Sequence, residues 1–193
     1  MTEDDYKIAI KKLGWDELEK LWHERRTNPE LQKQWKKGKF FEYAILRAFE
    51  IEGAEVKYPF NVPYPLAIDD EKEVVEQIDG IIYENGLTVL AESKDYEDDK
   101  IDIEPLAKLQ VRLKRRPTPV IGCIFTATGF TLPAQILIES LMPHTILLWN
   151  NADIELCLER HCFRKGLHLK YRNMIEEANH MFNLSAAAQI GKI

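Results

Sequence analysis

Gln77-Ile78-Asp79-Gly80 and Ala91-Glu92-Ser93-Lys94 lie at equal distances from a central Asn85-Gly86 pair. The two flanking segments, 74–83 and 87–95, are rich in apolar and β-branched residues. Asn-Gly between two such segments is typical of a tight β-hairpin, because both turn residues must tolerate positive φ. We therefore predict a hairpin with Asn85 and Gly86 at its tip, so that Glu84 faces Leu87.

This register places Asp79 directly opposite Glu92, with their Cβ atoms roughly 5 Å apart on one face of the sheet. Lys94 shares the face of Glu92 because side chains alternate along a strand, and it lies opposite Gln77. Like charges that face each other destabilise a sheet, so the two carboxylates favour a cation between them. The hairpin alone thus predicts a metal site.

The length and composition indicate a single domain. The chain has 193 residues, of which 45% are hydrophobic, enough for one good core. It contains no apolar run of roughly 20 residues, the length that spans a bilayer, and it begins with the acidic segment Met1–Asp5. We therefore expect a cytoplasmic protein without membrane contact. The odd number of cysteines, at 123, 157 and 162, predicts free thiols.

The charge is unevenly distributed. The net charge of −6 does not favour nucleic-acid binding as such. Acidic residues concentrate in 69–104, however, whereas lysine and arginine concentrate in 33–39 and 108–116. Basic surfaces beside an acidic pocket are compatible with a phosphodiester substrate and its metal ions. Solvated helix faces are the alternative explanation of each basic run.

Periodicity and turn residues predict an α/β protein. Helices are expected at 3–26, 29–52, 105–115, 133–141, from 150 to 166, and from 167 to about 183, followed by a weakly specified tail. Strands are expected at 56–62, 74–83, 87–95, 120–126 and 145–149, with acidic loops at 66–72 and 95–102. The first of these strands is broken by prolines 59, 63 and 65 and is expected to be irregular or to lie at an edge of the sheet. This order predicts a mixed central sheet with helices on both faces.

Two further polar residues flank the hairpin on predicted helices. Glu42 lies among apolar residues that include Phe41 and Ile45, and it points either to solvent or inward to the carboxylate pair. Gln110 lies beside the apolar face of the helix that follows the hairpin. Lys108, Arg112 and Arg115 form a stripe on another side of that helix.

Together these residues resemble the PD-(D/E)XK nuclease superfamily, and most of all its Mrr-type restriction endonuclease-like domains. Gly38-Lys39-Phe40-Phe41-Glu42 is similar to the Gly-x-x-Phe-Glu helix of that family, and Gln110 to its helical glutamine. Asp79-Gly80 and Glu92-Ser93-Lys94 match the aspartate and the Glu-x-Lys of the hairpin. Ile78 replaces the proline for which the superfamily is named. The similarity extends from Gly38 to Trp149, more than half of the chain.

The resemblance implies a restriction-endonuclease-like fold and hydrolysis of DNA phosphodiesters. Its core corresponds to residues 38–150, with an N-terminal helical extension at 1–37 and C-terminal helices at 151–193. It implies that Mg²⁺, or Mn²⁺, binds Asp79 and Glu92 with help from Glu42. Lys94 would position or deprotonate the attacking water, and Gln110 would orient the phosphate. Lys39, Lys108, Arg112, Lys114 and Arg115 are the candidate DNA contacts.

Two alternatives remain open at this point. The first is a nuclease-fold module that binds DNA or assembles with partners without catalysis, using the terminal helices for contacts or for a homodimer interface. The intact Glu-x-Lys set argues against it, since a degenerate module is expected to lose these residues. The second alternative is a nuclease that acts on RNA or branched DNA with the same residues.

Overall fold

The computed structural model describes residues 1–63, 74–140, 145–189 and 191. The predicted acidic loop at 66–72 lies outside the described residues, as do Leu141 at the end of one predicted helix and parts of the C-terminal tail. Everything that follows refers to the described ranges.

A five-stranded mixed sheet forms the centre of the protein, with the strand order β1-β4-β5-β6-β7. The strands are β1 Glu55–Lys57, β2 Phe60–Pro63, β3 Val74–Ile78, β4 Gly80–Glu84, β5 Leu87–Lys94, β6 Val120–Thr126 and β7 Ile146–Trp149. Strand β4 is antiparallel to β1 and β5, whereas β5, β6 and β7 run parallel. Strands β2 and β3 pair separately as a small antiparallel sheet. Strand β5 is thus the middle strand of the main sheet.

Helices cover both faces of this sheet, as predicted for the α/β class. They are α1 Glu3–Lys11, α2 Trp15–Glu24, α3 Pro29–Gln34, α4 Lys39–Ile51, α5 Ile103–Lys114, α6 Leu132–Glu139, α7 Asn151–Arg160, α8 Phe163–Glu177 and α9 Leu184–Gln189. In the described ranges no helix combines the length and the apolar character needed to cross a bilayer.

Alternating residues of the central strand pack into two separate hydrophobic clusters, one on each face of the sheet. Val89 and Ala91 of β5 pack into the larger one with residues of α1, α2, α4, α7 and α8. Leu90 points the other way, to the cluster built by α5 and α6. Period-two alternation on a sheet buried on both faces explains this division. The N-terminal helices therefore pack into the larger cluster, with Trp22 fully buried beside Phe41.

Three predicted helices are interrupted, and a backbone feature marks each break. The predicted helix 3–26 ends at Lys11 and restarts after Gly14, the N-cap of α2. The predicted helix 29–52 is split at Gly38, whose φ of 79° is left-handed. The helix predicted to reach 166 ends at Arg160 because His161 adopts a φ of 49°. Apolar periodicity continues across each break, so the sequence pattern alone does not reveal it.

Two predicted strands are also divided. The predicted break of the 56–62 strand at Pro59 is confirmed, since β1 ends at Lys57 and β2 begins at Phe60, and β1 is an edge strand of the main sheet. The prediction of one continuous strand at 74–83 is wrong. It separates at Asp79, where the chain passes from the small sheet in β3 to the main sheet in β4.

A buried lysine ties the C-terminal helices to the sheet. The Lys170 side chain is 1% exposed and its ammonium lies 2.8 Å from Asp153 Oδ2. It also donates to the carbonyls of Leu148 and Phe182 at 2.8 and 2.5 Å. Asp153 in turn accepts the amide of Leu184 at 2.8 Å. This charged node joins β7, α7, α8 and the start of α9.

Candidate active site

A cavity of about 530 Å³ lies where the carboxyl end of β5 meets α4 and α5. Its lining contains five acidic and five basic side chains. These are Glu42, Asp79, Glu92, Asp102 and Glu104, together with Lys39, Lys94, Lys100, Lys108 and Arg112; Gln77, Tyr96 and Pro105 complete the wall. Most residues of the predicted catalytic set therefore converge on one cavity.

The hairpin has the predicted register. Asn85 and Gly86 have φ values of 44° and 84°, and Glu84 pairs with Leu87. The last ladder pair is Gly80 with Ala91, so Asp79 lies one step beyond it. In this position Asp79 Oδ2 accepts a hydrogen bond of 2.9 Å from the backbone N–H of Ser93. The backbone of β5 thus fixes the Asp79 carboxylate at the end of the strand that carries Glu92.

Lys94 joins the two facing carboxylates. Its ammonium lies 2.6 Å from Glu92 Oε1 and 4.0 Å from Asp79 Oδ2. The two carboxylate oxygens are therefore no farther apart than the sum of these distances. Oxygens that bind one Mg²⁺ ion lie at most roughly 4 Å apart, so the two side chains would turn toward each other to share an ion.

Arg112 also belongs to this site. The sequence analysis assigned this residue only to DNA contacts. Its guanidinium donates to Glu92 Oε2 from helix α5, so both oxygens of Glu92 bind a protein cation. Lys108 lies one turn earlier on α5 and also lines the cavity. The spacing of four residues was visible in the sequence, but the reach of Arg112 to Glu92 depends on how α5 packs against the sheet.

Glu42 enters the cavity from the opposite side, on the first turn of α4. Its Oε2 lies 2.9 Å from the Lys39 ammonium, which also lies 3.3 Å from Glu3. Of the two orientations left open by the sequence, the structure therefore shows the inward one. Gly80, next to Asp79, permits this approach, because a Cβ there would lie 2.6 Å from the methyl carbons of Leu46, one turn after Glu42.

Replacing Gly80 with alanine is expected to destabilise the fold by about 1–3 kcal/mol, because the added methyl group overlaps Leu46 and pushes α4 away from β4. Urea unfolding of the variant measures this loss. Gly129→Ala is the matched control, since a Cβ at Gly129 meets no atom within 4 Å. Equal stability of the two variants would contradict close packing at Gly80.

Burial and neighbouring negative charge raise the pKa of two carboxyl groups in the cavity, Asp79 and Glu42. Burial, followed by the charge of Glu92, raises the pKa of Asp79. Burial, followed by the charge of Asp79, raises the pKa of Glu42 to about 7. Burial alone would lower the pKa of Lys94, but the charges of Glu92 and Asp79 outweigh it and raise that pKa. Lys94 is therefore an ammonium at neutral pH.

Replacing Glu42 with glutamine is expected to stabilise the protein at pH 8 but not at pH 4. The folded pKa of Glu42 is about 7, above its ordinary value of 4.5. Protonation of Glu42 therefore adds its full contribution to the free energy of unfolding below pH 4.5, and this contribution is lost as the pH rises through 7. Glutamine stays neutral at both pH values, so at pH 8 the variant should be more stable than the wild type by about 2–3 kcal/mol. Urea unfolding in EDTA at both pH values measures it. The exposed Glu17→Gln is the control, and identical pH dependence of the two variants would exclude a strained Glu42 carboxylate.

Of the remaining predicted residues, only Gln77 lines the cavity; Gln110, Lys114 and Arg115 do not. Gln77 lines it, but the predicted pairing with Lys94 is wrong because Gln77 pairs with Asn61 in the small sheet. Gln110 is partly buried on α5 and does not line the cavity. Lys114 is exposed. Arg115 lies 3.0 Å from the buried Glu76, which Arg116 also binds at 2.7 Å.

The donor set is compatible with a hard divalent cation. Mg²⁺ prefers oxygen ligands and retains several waters, so two carboxylates are sufficient protein ligands. Asp79 and Glu92 can serve in this way if one oxygen of Glu92 exchanges a protein cation for the metal ion. Across the described ranges, no three His, Cys, Asp or Glu side chains are grouped so that they could hold one ion together.

Comparison with solved structures identified distant matches. One is a protein of unknown function, AF1548, at 20% identity and a TM-score of 0.45, covering 57% of this chain and 58% of the other. Another is the MspJI restriction endonuclease in complex with a 27-mer oligonucleotide, at 16% identity and a TM-score of 0.43, covering 86% and 35%. A third is the DNA modification-dependent restriction endonuclease AspBHI, at 12% identity and a TM-score of 0.43, covering 89% and 41%.

This chain therefore spans less than two thirds of the length of each of these three structures. No protein-family model matches the sequence, and no curated protein does.

Proposed function

We propose that this protein is a metal-dependent endonuclease of the PD-(D/E)XK type that hydrolyses DNA phosphodiester bonds. The observation that carries the proposal is the position of the Lys94 ammonium, between Glu92 at 2.6 Å and Asp79 at 4.0 Å, in an open polar cavity. A bound Mg²⁺ ion would lower the pKa of an attacking water and offset the negative charge that develops on the phosphate.

Each side chain of the site has a defined task in this proposal. Asp79 and Glu92 provide the metal ligands, and the Ser93 amide holds Asp79 in place. Lys94, charged at neutral pH, orients the attacking water and stabilises charge on the phosphate rather than removing a proton. Arg112 keeps Glu92 oriented. Lys108 lies on the rim, 63% exposed, within reach of a neighbouring phosphate.

The charge balance of the cavity explains how an acidic protein can bind a polyanion. Five carboxylates and five cations line the cavity, so their formal charges cancel. A divalent cation would give the lining a positive excess and would lower the repulsion between DNA and the carboxylates. We therefore expect DNA affinity to depend on Mg²⁺, and binding without metal to be weak.

The test is a cleavage assay with Mg²⁺, Mn²⁺ or EDTA on duplex, single-stranded, branched and modified DNA, and on RNA. We expect the wild type to cut DNA only with metal, and Asp79→Asn and Glu92→Gln to be inactive. Asp98→Asn, an exposed acid in the neighbouring loop that does not line the cavity, is the matched control and should keep full activity.

Two results would overturn the proposal. The first is a lack of cleavage of every DNA substrate by the wild type with either metal, which would favour a binding or assembly module. The second is cleavage that survives in Asp79→Asn and Glu92→Gln, which would place the chemistry elsewhere. Cleavage of RNA alone would keep the site and change the substrate.

A further inference from the structure

Two cysteine side chains meet at the junction between α7 and α8. The Sγ atoms of Cys157 and Cys162 lie 3.8 Å apart, and both residues are free thiols. A disulfide has an S–S distance of about 2.05 Å, so the two sulfurs need to approach by less than about 2 Å to form one. The nuclease mechanism proposed above uses neither cysteine.

The way in which α7 ends brings these two residues together. The backbone N–H of Cys162 donates to the carbonyl of Cys157 at 3.1 Å. The N–H of His161, whose φ of 49° is left-handed, donates to the carbonyl of Leu158 at 3.3 Å. These two bonds form a Schellman motif, in which the residues joined by the longer loop commonly touch through their side chains. Here both of those residues are cysteines, so the backbone itself holds the pair together.

The two thiols have different surroundings. Cys157 is 0% exposed, whereas Cys162 is 8% exposed and lines a cavity of about 570 Å³. The other residues around this cavity are Glu52, Arg160, His161, Arg164 and Lys165. A small oxidant that enters the cavity therefore meets Cys162 and not Cys157.

The interactions of the pair favour a thiolate at Cys162, which is the form of cysteine that reacts with oxidants. A hydrogen bond from Cys157 lowers the pKa of Cys162. Burial and the charge of Glu52 oppose this effect, whereas Arg160 and Lys165 add to it. The same hydrogen bond, followed by burial, raises the pKa of Cys157. Cys162 is thus the attacking sulfur, and Cys157 is its protonated partner.

We propose that Cys157 and Cys162 are a redox-sensitive thiol pair, which hydrogen peroxide oxidises to an intramolecular disulfide and a dithiol reduces again. The Cys162 thiolate, its proton lost to solvent, attacks one peroxide oxygen and becomes a sulfenic acid. The O–O bond breaks, and the departing hydroxide takes a proton from solvent to become water. This site is independent of the proposed nuclease function.

The second step closes the disulfide. The sulfur of Cys157 attacks the sulfenic sulfur of Cys162, and the S–O bond breaks. The S–H proton of Cys157 leaves with the displaced hydroxyl group as a second water molecule. In total the two thiols lose two electrons and two protons, and one peroxide is reduced to two molecules of water.

Mass spectrometry of the full chain tests the proposal. The folded wild type is treated with hydrogen peroxide in EDTA and its intact mass is measured, after which free thiols are alkylated and the chain is digested with trypsin. Because trypsin cleaves after Arg160, the two cysteines fall on separate peptides, and their disulfide is detected as a linked pair. We expect the mass to fall by that of two hydrogen atoms, the linked pair to join Cys157 with Cys162, and dithiothreitol to reverse both changes.

Single alanine variants assign the two roles. Cys157→Ala should accumulate a sulfenic acid at Cys162 that dimedone traps, whereas Cys162→Ala should leave Cys157 unmodified. Cys123→Ala is the matched control, because it removes a third buried cysteine and keeps the pair, so it should form the disulfide as the wild type does. Circular dichroism before treatment establishes that each variant is folded.

Three results with the wild type would overturn the proposal. Both cysteines could stay thiols in peroxide, as expected of a pair that only packs together. Cys162 could be oxidised to a sulfinic acid without forming the disulfide, or either cysteine could be linked to Cys123 instead. A dimedone adduct on Cys157 of Cys162→Ala would overturn the assigned order of attack. The wild-type peptides decide the pairing by themselves, so the test holds even where a variant does not fold.

Discussion

Replacing Lys94 with methionine is expected to slow Mg²⁺-dependent DNA cleavage by about 10²–10³-fold, the usual cost of removing one charge-stabilising donor from an active site. Methionine keeps much of the apolar stem and removes only the ammonium that lies between Glu92 and Asp79. Single-turnover cleavage at saturating enzyme measures this loss directly, because it reports the chemical step.

The same variant separates the role of the lysine from that of the metal ligands. Loss of a charged hydrogen bond is expected to lower the free energy of unfolding in EDTA by about 1.5–3 kcal/mol. Added Mg²⁺ should then raise the melting temperature of Lys94→Met at least as much as that of the wild type, because the carboxylates have lost a cation. Asp79→Asn should show little Mg²⁺ stabilisation. A Lys94→Met protein that cleaves at the wild-type rate would refute the assigned role.

Replacing Lys170 with methionine is expected to destabilise the fold by about 3–5 kcal/mol, the largest effect on stability that we anticipate. The substitution leaves the Asp153 carboxylate, 2% exposed, without its cation. It also removes the donor shared by the carbonyls of Leu148 and Phe182. Urea unfolding followed by far-UV circular dichroism measures the loss.

An exposed ion pair on the same helix is the control for Lys170. Arg172 lies 2.7 Å from Glu176, almost the same distance as that between Lys170 and Asp153, but its side chain is 72% exposed. Arg172→Met should therefore cost only a small fraction of the Lys170 effect, because solvent screens exposed pairs. Similar losses in the two variants would show that burial does not govern the strength of the Lys170 node.

The local chemistry of the hairpin made its register predictable. Asn85-Gly86 specifies a tight turn by its tolerance of positive φ, and the pairing of Glu84 with Leu87 then follows without tertiary information. The same holds for β6, whose continuous apolar run at 120–126 matches the strand at both ends. These elements are specified within a few residues, so the sequence was sufficient.

Features that depend on packing were not predictable. The separation of β3 from β4 at Asp79 arises from the partner strands, since the local sequence around it reads as a continuous strand. The contact of Arg112 with Glu92 spans 20 residues and depends on the position of a whole helix. In each case the deciding partner is distant in the sequence.

The two protein cations on Glu92 have a consequence for the order of folding and ion binding. Lys94 and Arg112 already neutralise this carboxylate, so its burial does not depend on an external ion. In the nuclease proposed above, chain folding and ion binding would therefore be separable events, unlike those of small domains that fold only around their metal. A chelator should therefore inactivate such a protein without unfolding it, and added divalent ions should restore its activity.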